Sequence, residues 1–166
     1  MSVKKLERSI ERIPRVTARN LEYKPIVLTD SKGWSVRREC RNVPQVQWEI
    51  LNGGTTEHYY NWIRRNIASL QRRHNKVRLF LWTGTCDFTT KVNKFIYLSD
   101  DVDEAVKKYR NLLDQIEKTV SDYNKVNISY LPIPHLSIEK WALTKGHRDS
   151  ASFKEQDKKT QRNNRH

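Results

Sequence analysis

Ile26-Val27-Leu28-Thr29-Asp30-Ser31-Lys32-Gly33 and Leu79-Phe80-Leu81-Trp82-Thr83-Gly84-Thr85-Cys86-Asp87 share one pattern: an apolar run that stops at small and polar residues. In an α/β protein the carboxyl ends of parallel strands open onto one crevice. Two such endings therefore bring Ser31, Gly84 and Asp87 to the same side of a sheet, where chemistry is expected. The rest of the chain fits this frame. Lys24 to Thr29 supplies a short β-branched strand, Val46 to Leu51 a second that Asn52-Gly53-Gly54 stops, Val77 to Trp82 a third and Val126 to Leu131 a fourth, halted by Pro132 and Pro134.

Helices are expected between these strands. A Thr cap at 55 or 56, with Glu57 in the first turn, opens a helix in which Tyr59, Trp62, Ile63, Ile67 and Leu70 recur at helical spacing. That spacing leaves Arg64, Arg65, Arg72 and Arg73 on the opposite, solvent side. Ser99-Asp100-Asp101 caps a second helix, whose apolar stripe runs from Val102 through Leu112, Ile116 and Val120 to Tyr123. Lys94 to Leu98 reads as an edge strand or part of a long loop. Alternating strands and helices predict a parallel sheet in three layers.

With 166 residues and 36% hydrophobic residues the chain suits one domain with a modest core. Its formal charge of +13 favours polyanionic partners such as nonspecific nucleic acid or an anionic membrane surface, and for nucleic acid Arg64, Arg65, Arg72 and Arg73 are the candidate binding residues. The excess lies in a basic arm over residues 1–23, in the Arg64 to Arg78 region and in a polar basic tail over 144–166. In the arm, Leu6, Ile10 and Ile13 suit a short helix that Pro14 ends. No run reaches the roughly 18 apolar residues of a membrane span, and no apolar leader marks secretion, so an intracellular setting is expected. Cys40 and Cys86 have no metal-ligand spacing and need no disulfide. There is no Gly-rich phosphate loop, so neither a cofactor nor a metal is expected. Oligomeric state is not written in the sequence.

Thr29-Asp30-Ser31, Gly53-Gly54 and Gly84-Thr85-Cys86-Asp87 follow in an order and spacing that resembles the SGNH, or GDSL-like, hydrolase superfamily over about Lys24 to Leu143. The resemblance implies a flavodoxin-like parallel sheet and acyl ester hydrolysis. In it Ser31 takes the nucleophile's place, though Thr29 replaces the family's glycine. Gly53 or Gly54, with Gly54 preferred, takes the place of the backbone oxyanion donor. Gly84 opens the third block, Cys86 stands where the family's asparagine gives a further donor, and Asp87 closes that block. A thiol is a weak donor, and loss of one oxyanion donor costs about 2–4 kcal/mol in transition-state stabilisation.

The family's final Asp-x-x-His block has no counterpart after Trp141: Asp149 lacks a histidine three residues on, and Asn163 stands three before His166. More closely, the Thr29 to Gly33, Trp82 to Asp87 and Gly146 to Asp157 segments resemble SGNH-like domains of invertebrate mobile-element-associated proteins. In those relatives the chain runs on to the His block, so this chain is expected to be C-terminally incomplete. His135, just past the fourth strand, is the best substitute base; Lys32 beside Ser31 is a poorer one, because adjacent residues on a turn diverge. The expected function is an esterase-type domain, inactive or very weak in this form. The alternatives are a non-catalytic basic module of a mobile-element protein that binds nucleic acid, and a truncated copy with no function of its own.

Overall fold

The computed structural model describes residues 22–133 and 136–163. The basic arm up to residue 21, with the helix expected there, and His135 lie outside the described residues. Four strands, β1 (Lys24–Thr29), β2 (Gln47–Ile50), β3 (Val77–Trp82) and β6 (Val126–Tyr130), form one sheet in the order β2-β1-β3-β6. Every pairing in it is parallel. The fold is therefore α/β, a parallel sheet flanked by helices, and its strand order is compatible with a flavodoxin-like arrangement.

Side chains alternate across a strand, and the register carries that alternation through the sheet. Ile26 and Leu28 of β1 lie level with Leu79 and Leu81 of β3, and those with Ile128 and Tyr130 of β6. This face packs against two long helices, α2 (Thr56–Arg73) and α4 (Val102–Ser121), through Tyr59, Ile63, Ile67, Leu70, Ile116 and Val120. Thr55 caps α2: its hydroxyl accepts from His58 N–H, and His58 Nδ1 accepts in return from Thr55 N–H. Asp101 caps α4 by accepting from Glu104 N–H at 2.9 Å. Arg64, Arg65, Arg72 and Arg73 are all exposed on the outer side of α2, where the spacing puts them.

The other face meets α1 (Gly33–Glu39), which no apolar period announces: of its seven residues only Gly33 is buried. A Cβ on Gly33 would stand 2.2 Å from Thr29 Cγ2 and 3.5 Å from Ile50 Cδ1. The helix starts directly on the ends of β1 and β2, and glycine is what permits that approach.

Between β3 and α4 the chain inserts a single-turn helix, α3 (Thr85–Phe88), and a hairpin of β4 (Thr89–Val92) and β5 (Phe95–Leu98). The strand expected near Lys94 to Leu98 thus pairs antiparallel with β4 in a sheet of its own. Its turn places Asn93 at φ 55°, a left-handed conformation that asparagine tolerates well. The hairpin carries a second small core. Ile138 and Ala142 of α5 (Ile138–Thr144), together with Phe153, pack against Ile96, Tyr97 and Leu98.

The segment expected to be a polar tail is anchored in this second core. A 3₁₀ turn (Ser150–Phe153) leads into α6 (Lys154–Asn163), and Phe153 is buried. Asp157 accepts from Ile138 N–H and from Ser137 Oγ–H, both at 2.6 Å. His147 lies edge-on between the rings of Phe95 and Phe153, at 4.7 and 4.9 Å between centroids. No helix among the described residues is long and apolar enough to cross a membrane.

Candidate functional site

In the order β2-β1-β3-β6 the chain leaves β1 first to one side and then to the other, so the switch point lies between the carboxyl ends of β1 and β3. Thr29 and Trp82, the last residues of the two strands, are level partners. Asp30-Ser31-Lys32 therefore faces Thr83-Gly84-Thr85-Cys86-Asp87 across one crevice.

Asp30 is the hinge of this crevice. It is 3% exposed, its Oδ1 accepts from Lys32 N–H at 3.0 Å, and its Oδ2 pairs with Lys32 Nζ at 2.5 Å. The Cys86 thiol reaches the same Oδ2 at 3.8 Å, and Lys32 Nζ approaches Thr85 Oγ1 at 3.5 Å. A buried carboxylate costs several kcal/mol unless it is paired and hydrogen-bonded, and Lys32 meets that need. Lys32 Nζ is thereby engaged with Asp30 and Thr85.

Ser31 itself is exposed, and its carbonyl accepts from Trp34 N–H at 3.2 Å as α1 begins. Among the described residues no side chain hydrogen-bonds to its hydroxyl. The histidines within them are engaged elsewhere: His58 in the α2 cap, His74 at the far end of α2 and His147 in the second core.

Gly84 begins α3 with φ +113°, and its carbonyl accepts from Asp87 N–H and Phe88 N–H at 3.0 and 3.2 Å. A Cβ there would meet Ile133 Cδ1 at 2.6 Å, which places the chain after β6 against the same loop. Burial and the neighbouring Asp30 carboxylate push the Cys86 thiol up to about 11. At neutral pH it is an un-ionised, weak donor, neither a nucleophile nor a strong oxyanion ligand.

Gly54 and Asp87 each have hydrogen-bonding duties of their own. Gly54 is buried, and its N–H donates to Leu51 O at 2.9 Å, closing the turn after β2. That N–H is spent on the turn, so it is not the free oxyanion donor expected of it. Asp87 accepts from Thr56 N–H at 3.0 Å and from Thr56 Oγ–H at 2.9 Å, while Thr56 Oγ meets Thr83 Oγ at 2.7 Å. It ties the start of α2 to the loop after β3. Burial raises its carboxyl above the usual range, opposed by the Thr56 hydrogen bonds.

Tyr59 does more than its place in the apolar stripe of α2 implies. Its hydroxyl donates to Thr29 O and lies 3.1 Å from Glu49 O, and it accepts from Leu51 N–H at 3.0 Å. One phenol thus clips together the ends of β1 and β2 beneath the crevice, and burial raises it to about 12. A tyrosine among aliphatic positions is the signal that marks this role, since a buried phenol needs a polar partner. A comparison with protein-family models and with curated proteins finds no match to this chain.

Proposed function

We propose that residues 24–143 form an SGNH hydrolase-like domain with Ser31 at the nucleophile position, and that the 166-residue chain hydrolyses acyl esters very slowly or not at all. The observation that carries this reading is the meeting of Asp30-Ser31-Lys32 with the Gly84 to Asp87 loop at the switch point between β1 and β3. A serine hydroxyl attacks an ester carbonyl only when a base takes its proton and donors hold the developing oxyanion. No base touches Ser31 among the described residues, Gly54 N–H serves its own turn, and Cys86 remains a thiol. The crevice holds a serine in place without activating it.

The test is hydrolysis of an activated short-chain ester by the wild-type chain, Ser31→Ala and His135→Ala. Wild-type and Ser31→Ala rates are expected to agree within a factor of about two, against the roughly 10²–10⁴-fold that a positioned base contributes. Free imidazole is expected to raise the wild-type rate above that of Ser31→Ala under the same conditions, because it supplies the missing base. Rapid turnover that Ser31→Ala abolishes overturns the inactivity, and loss with His135→Ala then identifies the base. No Ser31-dependent rate even with imidazole overturns the nucleophile assignment.

A second reading rests on the outer side of α2, where four exposed arginines form no ion pair among the described residues. This stripe supports sequence-indifferent binding to nucleic acid phosphates. Affinity for a DNA duplex is expected to fall by about an order of magnitude or more between low and moderate salt. Reversal of Arg64, Arg65, Arg72 and Arg73 to Glu is expected to abolish most of it while the circular dichroism spectrum stays unchanged. Binding indifferent to salt and to the four reversals excludes this reading.

A further inference from the structure

Helix α1 projects from the crevice with most of its surface uncovered, and one of its faces combines an aromatic ring with a row of cations. Trp34, Arg37 and Arg38 fall at positions i, i+3 and i+4, and Arg41 follows at i+7 in the turn that continues the helix. Trp34 is 46% exposed, a large fraction for an indole. Its ring is nonetheless held: Nε1–H donates to Asn52 Oδ1 at 3.0 Å, and the Arg37 guanidinium lies 5.5 Å from the ring centroid. All three arginines are exposed, and none forms an ion pair among the described residues. A second pair of the same kind stands at the lip of the crevice, where Lys32 Nζ lies 5.3 Å from the Trp82 ring.

We infer that this face of α1 is a docking site for single-stranded nucleic acid, with a base stacked on Trp34 and flanking phosphates on Arg37, Arg38 and Arg41. The charge of the row calls for a polyanion, and the fixed exposed indole selects among polyanions. Every base offers a π-face once it is unstacked, whereas in a duplex those faces are covered by neighbouring bases. An anionic lipid surface would instead favour an indole free to sink among acyl chains, and this one is tied by its N–H to Asn52. The inference shares with the α2 reading the premise that the basic surface holds nucleic acid, but it concerns a separate site and a different strand state.

The test is fluorescence anisotropy of a labelled oligothymidylate of about 20 nucleotides, long enough to fill a stacking site with its flanks. A duplex of the same length serves as comparison, against the wild-type chain, Trp34→Ala, Trp34→Phe and the double variant R37E/R38E. Trp34→Ala is expected to weaken single-strand binding about ten-fold, the order that removing one base stack produces, while duplex binding changes less than about two-fold. Trp34→Phe, which keeps a ring, is expected to retain most of the affinity. R37E/R38E is expected to lower the affinity and flatten its salt dependence by roughly 0.7 in log–log slope for each phosphate that is no longer neutralised.

Unchanged single-strand affinity in Trp34→Ala overturns the inference, as does an equal reduction for single strand and duplex. Trp34-dependent binding to phosphatidylserine vesicles without binding to the oligonucleotide assigns the face to lipid and also overturns it. The fourfold reversal on α2 separates the two sites: abolished duplex binding with Trp34-dependent single-strand binding retained upholds both. Retention of all duplex binding with the Trp34 effect present removes only the α2 reading.

Discussion

Gly84→Ala is expected to destabilise the protein by about 2–6 kcal/mol, the sum of two separate penalties. The first is conformational. Gly84 sits at φ +113°, where an L side chain is strained by roughly 1–3 kcal/mol. The second is steric, because the new Cβ would stand 2.6 and 2.7 Å from Ile133 Cδ1 and Cγ1. Overpacking of that kind costs about 1–3 kcal/mol, depending on how far the neighbour can move. Urea unfolding of the wild type and the variant measures the sum, and a double-mutant cycle with Ile133→Ala divides it. In the Ile133→Ala background the steric part is expected to vanish and the conformational part to remain. A Gly84→Ala effect below about 0.5 kcal/mol, typical of an ordinary surface substitution, contradicts the account.

Asp87→Ala is expected to cost about 2–4 kcal/mol, because it strips the acceptor from buried groups that water cannot reach. Thr56 is fully buried and Thr83 is 1% exposed, so neither the Thr56 N–H nor the two hydroxyls can turn to solvent. Asp87→Asn keeps one carbonyl oxygen for the Thr56 N–H and is expected to cost less than half as much. The pH dependence separates charge from hydrogen bonding. Burial raises the folded-state carboxyl above its unfolded value, so the folded protein binds the proton more tightly. Stability attributable to this group is therefore fully present at low pH and declines as pH rises from about 4 through the raised folded value. Asp87→Asn cannot titrate, and its unfolding free energy is expected to lack that component of the slope. An identical pH profile in wild type and Asp87→Asn shows that burial does not perturb the carboxyl.

Both variants bear on the crevice as well as on stability. Gly84 and Asp87 hold the α3 turn whose Cys86 meets Asp30, and Asp30 in turn orients Lys32 beside Ser31.

The elements legible in the sequence are those whose signal is local and strong. β1 and β3 begin and end where their runs do: β1 is buried from Ile26 to Thr29, and β3 alternates buried and half-buried side chains. β2 and β6 come out shorter than their runs, Gln47–Ile50 against Val46 to Leu51 and Val126–Tyr130 against Val126 to Leu131; Val46 stands level with Pro25, which has no N–H to offer it. α2 and α4 carry long apolar stripes and side-chain caps, and both start where Thr55 and Asp101 place them. The hairpin is only half visible in the sequence. Thr89-Thr90-Lys91-Val92 is polar and largely exposed, and becomes a strand through its register with Phe95 to Leu98.

The candidate site divides along the same line. That Ser31 and the Gly84 to Asp87 loop share one sheet edge follows from the sequence alone, because each trails a buried strand and parallel strands end on the same side. What their atoms do there was decided by tertiary structure. Gly54 N–H closes a turn, Asp87 serves Thr56, and Tyr59 binds the ends of two strands, because every buried donor and acceptor must find a partner and the nearest one is set by packing. Helix α1 and its Trp34 belong wholly to this second class. A helix with one buried residue has no hydrophobic period to read, and it forms because Gly33 seats it against Thr29 and Ile50.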